Sequence, residues 1–126
     1  MVFTMSDRGR VRIETSQKRV RVEIGGVTVA DSTKASILHE THLPVRYYLP
    51  KSDVRMDLMT ATAKVTACPY KGTARYWTAT VNGLEHENIL WGYDTPLPES
   101  QKIAGLVAFY NEKVDIYVDE QLQERP

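Results

Sequence analysis

The sequence predicts a mainly β fold, one small domain of antiparallel hairpins with a short helical turn near residues 98–104. Three observations carry that expectation. Arg19 to Ile24 alternates polar and apolar residues, Gly25-Gly26 follows, and Val27-Thr28-Val29 alternates again. A period of two sends one set of side chains to a buried face and the other to water, and two glycines supply the positive φ angles of a tight turn. Tyr76 to Val81 and Leu84 to Trp91 flank Asn82-Gly83, the pair best suited to a type I′ turn. Finally, 126 residues make one domain of ordinary size, long enough to bury roughly two-thirds of the surface its unfolded chain exposes.

The remaining elements follow in order. Val11 and Ile13 alternate with arginines, as outward and inward positions of a strand would. Ala35 to Glu40 suits a strand or a short helix. Pro44 and Pro50 bracket Tyr47-Tyr48, which suits an extended piece at a sheet edge. Asp94 to Pro98 forms a rigid connector, and Pro98 can open a helical turn ending near Ile103. Leu106 to Tyr110 has the pattern of a buried strand, and Val114, Ile116 and Val118 alternate in another. The expected organisation is an arm or edge strand over 1–18, a β domain over 19–118 and a tail over 119–126. The hairpin from Tyr76 should place Trp77, Ala79 and Val81 on one face.

Charge narrows the partners. Sixteen basic residues balance sixteen acidic ones, whereas nucleic-acid and membrane-surface binders carry a basic excess; neither partner is expected. The signs are unevenly spread. Arg8, Arg10, Arg12, Lys18, Arg19 and Arg21 crowd the start, and Glu112, Asp115, Asp119, Glu120 and Glu124 crowd the end. Solvated strand faces account for the basic run better than an arm for an acidic partner does, because it alternates with Val11, Ile13, Val20 and Val22. The single cysteine, Cys68, can make no internal disulfide and suits a reducing compartment. With no apolar run of signal-peptide or membrane-span length, the expected location is cytoplasmic.

Four blocks carry a resemblance. They are His39-Glu40-Thr41-His42-Leu43-Pro44 with Tyr47-Tyr48-Leu49-Pro50 and Asp53-Val54; Cys68-Pro69-Tyr70-Lys71-Gly72-Thr73-Ala74-Arg75-Tyr76-Trp77; Trp91-Gly92-Tyr93 with Pro96; and Ile103-Ala104-Gly105 with Val107-Ala108-Phe109-Tyr110. Together, over Arg19 to Val118, they resemble the domain-of-unknown-function family four hundred and twenty-seven. The resemblance implies a β-tent-like folded sheet, as in methionine-sulfoxide reductase B and small zinc-binding domains. Those relatives hold zinc with two Cys-x-x-Cys pairs, and one cysteine excludes a zinc site of that type here. A nucleotidyltransferase label attached to the family finds no Gly-Ser with a spaced Asp-x-Asp in this chain.

Candidate chemistry centres on those blocks. Cys68 has Lys71 three residues on, and a nearby ammonium favours the thiolate; a small buried hydrophobe is the alternative. His42 is the other catalytic candidate. His39, His42 and His86 with Glu40, Glu85 and Glu87 have ligand chemistry but no metal-site spacing. No metal or cofactor is expected, although a metal-dependent enzyme using the histidines stays open. Asp53 and Asp57 are taken as solvated. Trp77 and Phe109 suit the core, whereas Tyr48, Tyr70, Tyr76 and Tyr93 need hydrogen-bond partners and suit a cleft. The expected function is binding of a small polar or anionic ligand in an aromatic-lined pocket built from Glu40, Tyr48, Cys68, Lys71, Tyr76 and Trp91, with His42 and Glu40 at the rim. Spacing assembles no nucleophile–base–orienter set, so enzymatic activity is left open. The rival is an interaction module or homodimer, which exposed Leu97, Leu106 or Tyr117 would support.

Overall fold

The computed structural model describes residues 11–126. Arg8, Arg10 and the first ten positions of the expected 1–18 arm lie outside the described residues. Eleven strands run through the rest: β1 Val11–Thr15, β2 Val20–Ile24, β3 Val27–Ser32, β4 Ser36–Glu40, β5 Arg46–Leu49, β6 Met59–Cys68, β7 Gly72–Val81, β8 Leu84–Gly92, β9 Val107–Phe109, β10 Asp115–Val118 and β11 Gln121–Leu122. Three short 3₁₀ turns punctuate them, at Lys51–Asp53, Met56–Leu58 and Pro98–Ile103. The strands form a seven-stranded sheet in the order β1-β4-β5-β9-β8-β7-β6 and a four-stranded sheet in the order β11-β10-β2-β3. Every pairing between these strands is antiparallel. No helix among the described residues is long and apolar enough to cross a membrane.

Both hairpin turns have the backbone their residues predict. Gly25 and Gly26 sit at φ 56° and 81°, Asn82 and Gly83 at 52° and 75°. Two consecutive positive φ angles define the type I′ turn, whose twist matches the strands it joins.

The large sheet is buried on both faces. Successive residues of a strand point to opposite sides, and the central strands divide their side chains accordingly. Leu49, Trp77, Leu90, Val107 and Phe109 join one cluster with Val20, Val22, Ile24 and Val29 of the small sheet. Their immediate neighbours Tyr48, Tyr76, Trp91 and Ala108 join a second cluster with Leu38, Ala74, Tyr93 and Ile103. Trp77, Ala79 and Val81 do share a face, the one turned toward the small sheet. The second cluster is smaller, and its aromatic side chains are where the charged groups gather.

Four expectations need correction or completion. Arg46–Leu49 is extended but lies inside the sheet, paired with β4 on one side and β9 on the other. Pro44 and Pro50 fall just outside the paired residues, so neither removes a ladder donor. Ala35 to Glu40 is strand, not helix, from Ser36 onward. β1 is an edge strand as allowed, but it pairs with β4 along its whole length and belongs to the domain. The expected tail contributes β11 and a bond from the Gln123 amide to the Ile116 carbonyl.

Candidate functional site

A row of cross-strand neighbours forms the floor of the site. Register places Tyr48 beside Ala108, Ala108 beside Trp91, and Trp91 beside Tyr76. Ala108 is the only small residue in that row. Across the gap it leaves, the Trp91 indole Nε1–H donates to the Tyr48 hydroxyl at 2.9 Å, with the two rings edge to face. Tyr110 tilts against the other side of Trp91, ring centroids 4.4 Å apart. The Tyr76 hydroxyl shares a 2.8 Å bond with Thr66 of β6. These contacts fix the rings as a rigid surface.

Two cation–carboxylate pairs close over it. Arg46 shares a strand face with Tyr48, two residues away, and its guanidinium lies 5.2 Å from the Trp91 ring and 5.5 Å from the Tyr110 ring. It donates to Glu112 Oε1 at 2.5 Å and Oε2 at 2.9 Å, and to Asn111 Oδ1. Lys71 comes from the tight turn between β6 and β7, where Cys68 pairs with Gly72. The chain bends there because Gly72 takes φ 110°, and the connector at Thr95–Leu97 packs directly on it. Lys71 Nζ meets Glu40 Oε1 at 2.8 Å, with the two side chains only 12% and 10% exposed. The same ammonium stands 5.9 Å from the Tyr93 ring.

Together Glu40, Arg46, Lys71, Tyr76, Trp91, Tyr93 and Tyr110, with Leu43 and Pro44 at the mouth, line a cleft of about 160 Å³. Roomier hollows lie between Thr28 and Arg55, about 300 Å³, and along Lys64, Glu87 and Lys113, about 460 Å³. The second of these includes Glu112 and Tyr110, but neither has the several converging rings and the buried Lys71–Glu40 pair of the smaller cleft, which is why chemistry points to that one.

Burial sets the protonation of the phenols. It pushes Tyr48 and Tyr93 well above the ordinary tyrosine range and Tyr110 up to about 12. All three are neutral near pH 7, and Tyr93 and Tyr110, which line the cleft, can donate a hydrogen bond there. Glu112 moves the other way, held below the usual carboxylate range first by its bonds to Arg46. A depressed folded pKa stabilises the protein above the unfolded value and loses that effect as pH falls through the folded one. The expected outcome is a thermal-midpoint gap between wild type and Glu112→Gln that is steady above about pH 5 and shrinks on acidification below it. Melting curves over that range check it, and a gap that widened with acid would refute the assignment.

The residues singled out by sequence fall in three places. Glu40, Lys71, Tyr76 and Trp91 line the cleft. Tyr48 has no exposed surface and lies under it, so it holds Trp91 and does not reach a ligand. Cys68 ends β6 half-buried and does not line the cleft. Lys71 is already engaged by Glu40, so it is not a free cation for the thiol. His42 is exposed on the turn after β4, at φ 64°, and does not line the cleft. The histidines are dispersed: His39 bonds Glu14 at the β1 edge, and His86 pairs with Ala79 near the far end of β7. Among the described residues no three His, Cys, Asp or Glu side chains come together as a metal group. Asp53 accepts from Ser32 and Asp57 from Arg55, so those carboxylates serve separate local bonds. Tyr117 lies under Arg21 on the small sheet and Leu106 packs on the second cluster of the large one, whereas Leu97 is exposed. Arg46 was missed. Its i, i+2 spacing from Tyr48 in an extended run was the available signal.

No curated protein matches the chain. A family model, described as a domain of unknown function, matches residues 12–120. That span runs from β1 into the turn before β11 and includes every residue lining the cleft. The chain therefore belongs to the DUF427 family of domains of unknown function.

Proposed function

We propose that this protein binds a small polar or anionic ligand in the aromatic cleft, within the reducing interior of a cell. The observation that carries the reading is that the buried Lys71–Glu40 pair and Arg46, itself held from outside the lining by the half-buried Glu112, converge on one aromatic floor. Burying an ion pair gives little or no net stability over well-packed apolar residues. Such a pair with a second cation beside it in one concavity is better explained by recognition than by folding. Amphipathic rings with a few converging polar groups are the ordinary lining of small-molecule sites. The unpaired thiol of Cys68 fits a cytoplasmic setting.

The test is a thermal-shift screen of small carboxylates, phosphates, sugars and amino acids. A ligand that binds only the folded state raises the midpoint in proportion to its occupancy. At least one class should do so in wild type and fail to do so in Trp91→Leu. A screen in which every class leaves wild type unmoved would overturn the reading.

A further inference from the structure

The donors and acceptors left unused in the cleft specify its ligand more closely, on the premise that the cleft is a binding site. Tyr93 is 5% exposed and lines the cleft, yet among the described residues nothing bonds its hydroxyl. No fully buried side-chain oxygen among the described residues lacks a partner, so this hydroxyl opens on the cleft itself. Arg46 spends its Nη1 on Asn111 and Glu112 and one Nη2 proton on Glu112. Its Nε–Nη2 edge donates to no described group, and that edge has the spacing of a carboxylate. Lys71 uses one of three protons on Glu40 Oε1, and Glu40 Oε2 accepts from no described donor.

The unused set is thus a guanidinium edge, a phenol and an ammonium, with one carboxylate oxygen among them. The charges already balance: Arg46 and Lys71 against Glu40 and Glu112. A bare anion would bring an uncompensated charge into a partly desolvated space, which is costly. A zwitterion would not. We infer that the cleft binds a free α-amino acid. Its carboxylate lies on the Arg46 edge and the Tyr93 hydroxyl, its ammonium on Glu40 Oε2, and its side chain against Trp91, Leu43 and Pro44. The volume of about 160 Å³ is below the roughly 300–1,000 Å³ of drug-sized pockets and suits a ligand of this size.

Calorimetry at neutral pH separates the possibilities, using L-alanine, L-leucine, leucinamide, 4-methylpentanoate and inorganic phosphate. The amino acids should bind, with leucinamide and 4-methylpentanoate each weaker by about tenfold or more, because each removes one charged partner. Tyr93→Phe removes a hydroxyl with no described partner, so the thermal midpoint should hold while amino-acid affinity falls about tenfold. If 4-methylpentanoate or phosphate binds as tightly as L-leucine, the zwitterion inference falls and the anion site stands. If the amino acids fail while another class in the wider screen binds, the inference falls and the cleft reading stands. If nothing binds wild type at all, both fall.

Discussion

Gly92→Ala is expected to destabilise the fold by about 3 kcal/mol or more. Gly92 is the last residue of β8, paired with Arg75 on one side and Val107 on the other. A Cβ there would stand 2.5 Å from the Leu106 carbonyl oxygen and 3.1 Å from Val107 Cγ1. The first atom is backbone, held in place because the next residue, Val107, pairs with both β5 and β8, so no side-chain rotation relieves the contact. The strands must part, and the Trp91–Tyr48 bond on the adjacent residue should loosen with them. At this chain length the loss corresponds to a fall of about 10 °C in melting temperature. Gly83→Ala is the control: its Cβ would meet nothing within 4 Å, although φ is +75°, so only backbone strain of about 1 kcal/mol applies. Melting curves for the two variants check the ordering. Equal losses would mean that the approach of Leu106 to β8 is not tight in solution.

That contact also shows where sequence reasoning stops. Gly92 carries no turn signal and takes an ordinary strand position; its need for a missing side chain depends on a segment fourteen residues away. The hairpins were legible because Gly25-Gly26 and Asn82-Gly83 encode their turns locally. Met59–Cys68 was not read as a strand at all. It is an edge strand whose threonines and alanines bury little, so no apolar face marks it. The interior position of Arg46–Leu49 was hidden because its second partner, β9, pairs with it from far along the chain, Ala108 against Tyr48. For the site, Glu40, Lys71, Tyr76 and Trp91 were found through the resemblance of their blocks. Their convergence was invisible to spacing, since it depends on the register that sets Ala108 between Tyr48 and Trp91. The pairing of Lys71 with Glu40, across 31 residues, was equally out of reach, and it changes the role of Lys71 from a free cation to half of a neutral pair.

The Lys71–Glu40 pair is expected to behave as a buried interaction with a separable function. Lys71→Met keeps the bulk and leaves the Glu40 carboxylate, 10% exposed, without its described partner. Removing one member of a buried pair costs about 3 kcal/mol, because the remaining charge is desolvated and uncompensated. Glu40→Met should cost a similar amount by stranding the ammonium. The double variant should recover most of the loss, since two apolar side chains replace two charges together. The exposed Arg55–Asp57 pair, 55% and 62% exposed, supplies the contrast: Arg55→Met should shift the urea midpoint too little to measure. Urea unfolding of wild type, the two single variants and the double variant, read as a double-mutant cycle, gives the coupling directly. A Lys71→Met loss no larger than that of Arg55→Met would show that the pair is solvated and that its burial explains nothing. A recovered double variant that no longer responds to any ligand of the screen would instead separate the two roles. Apolar residues can then do the structural work at these positions, and the charges are there for what the cleft binds.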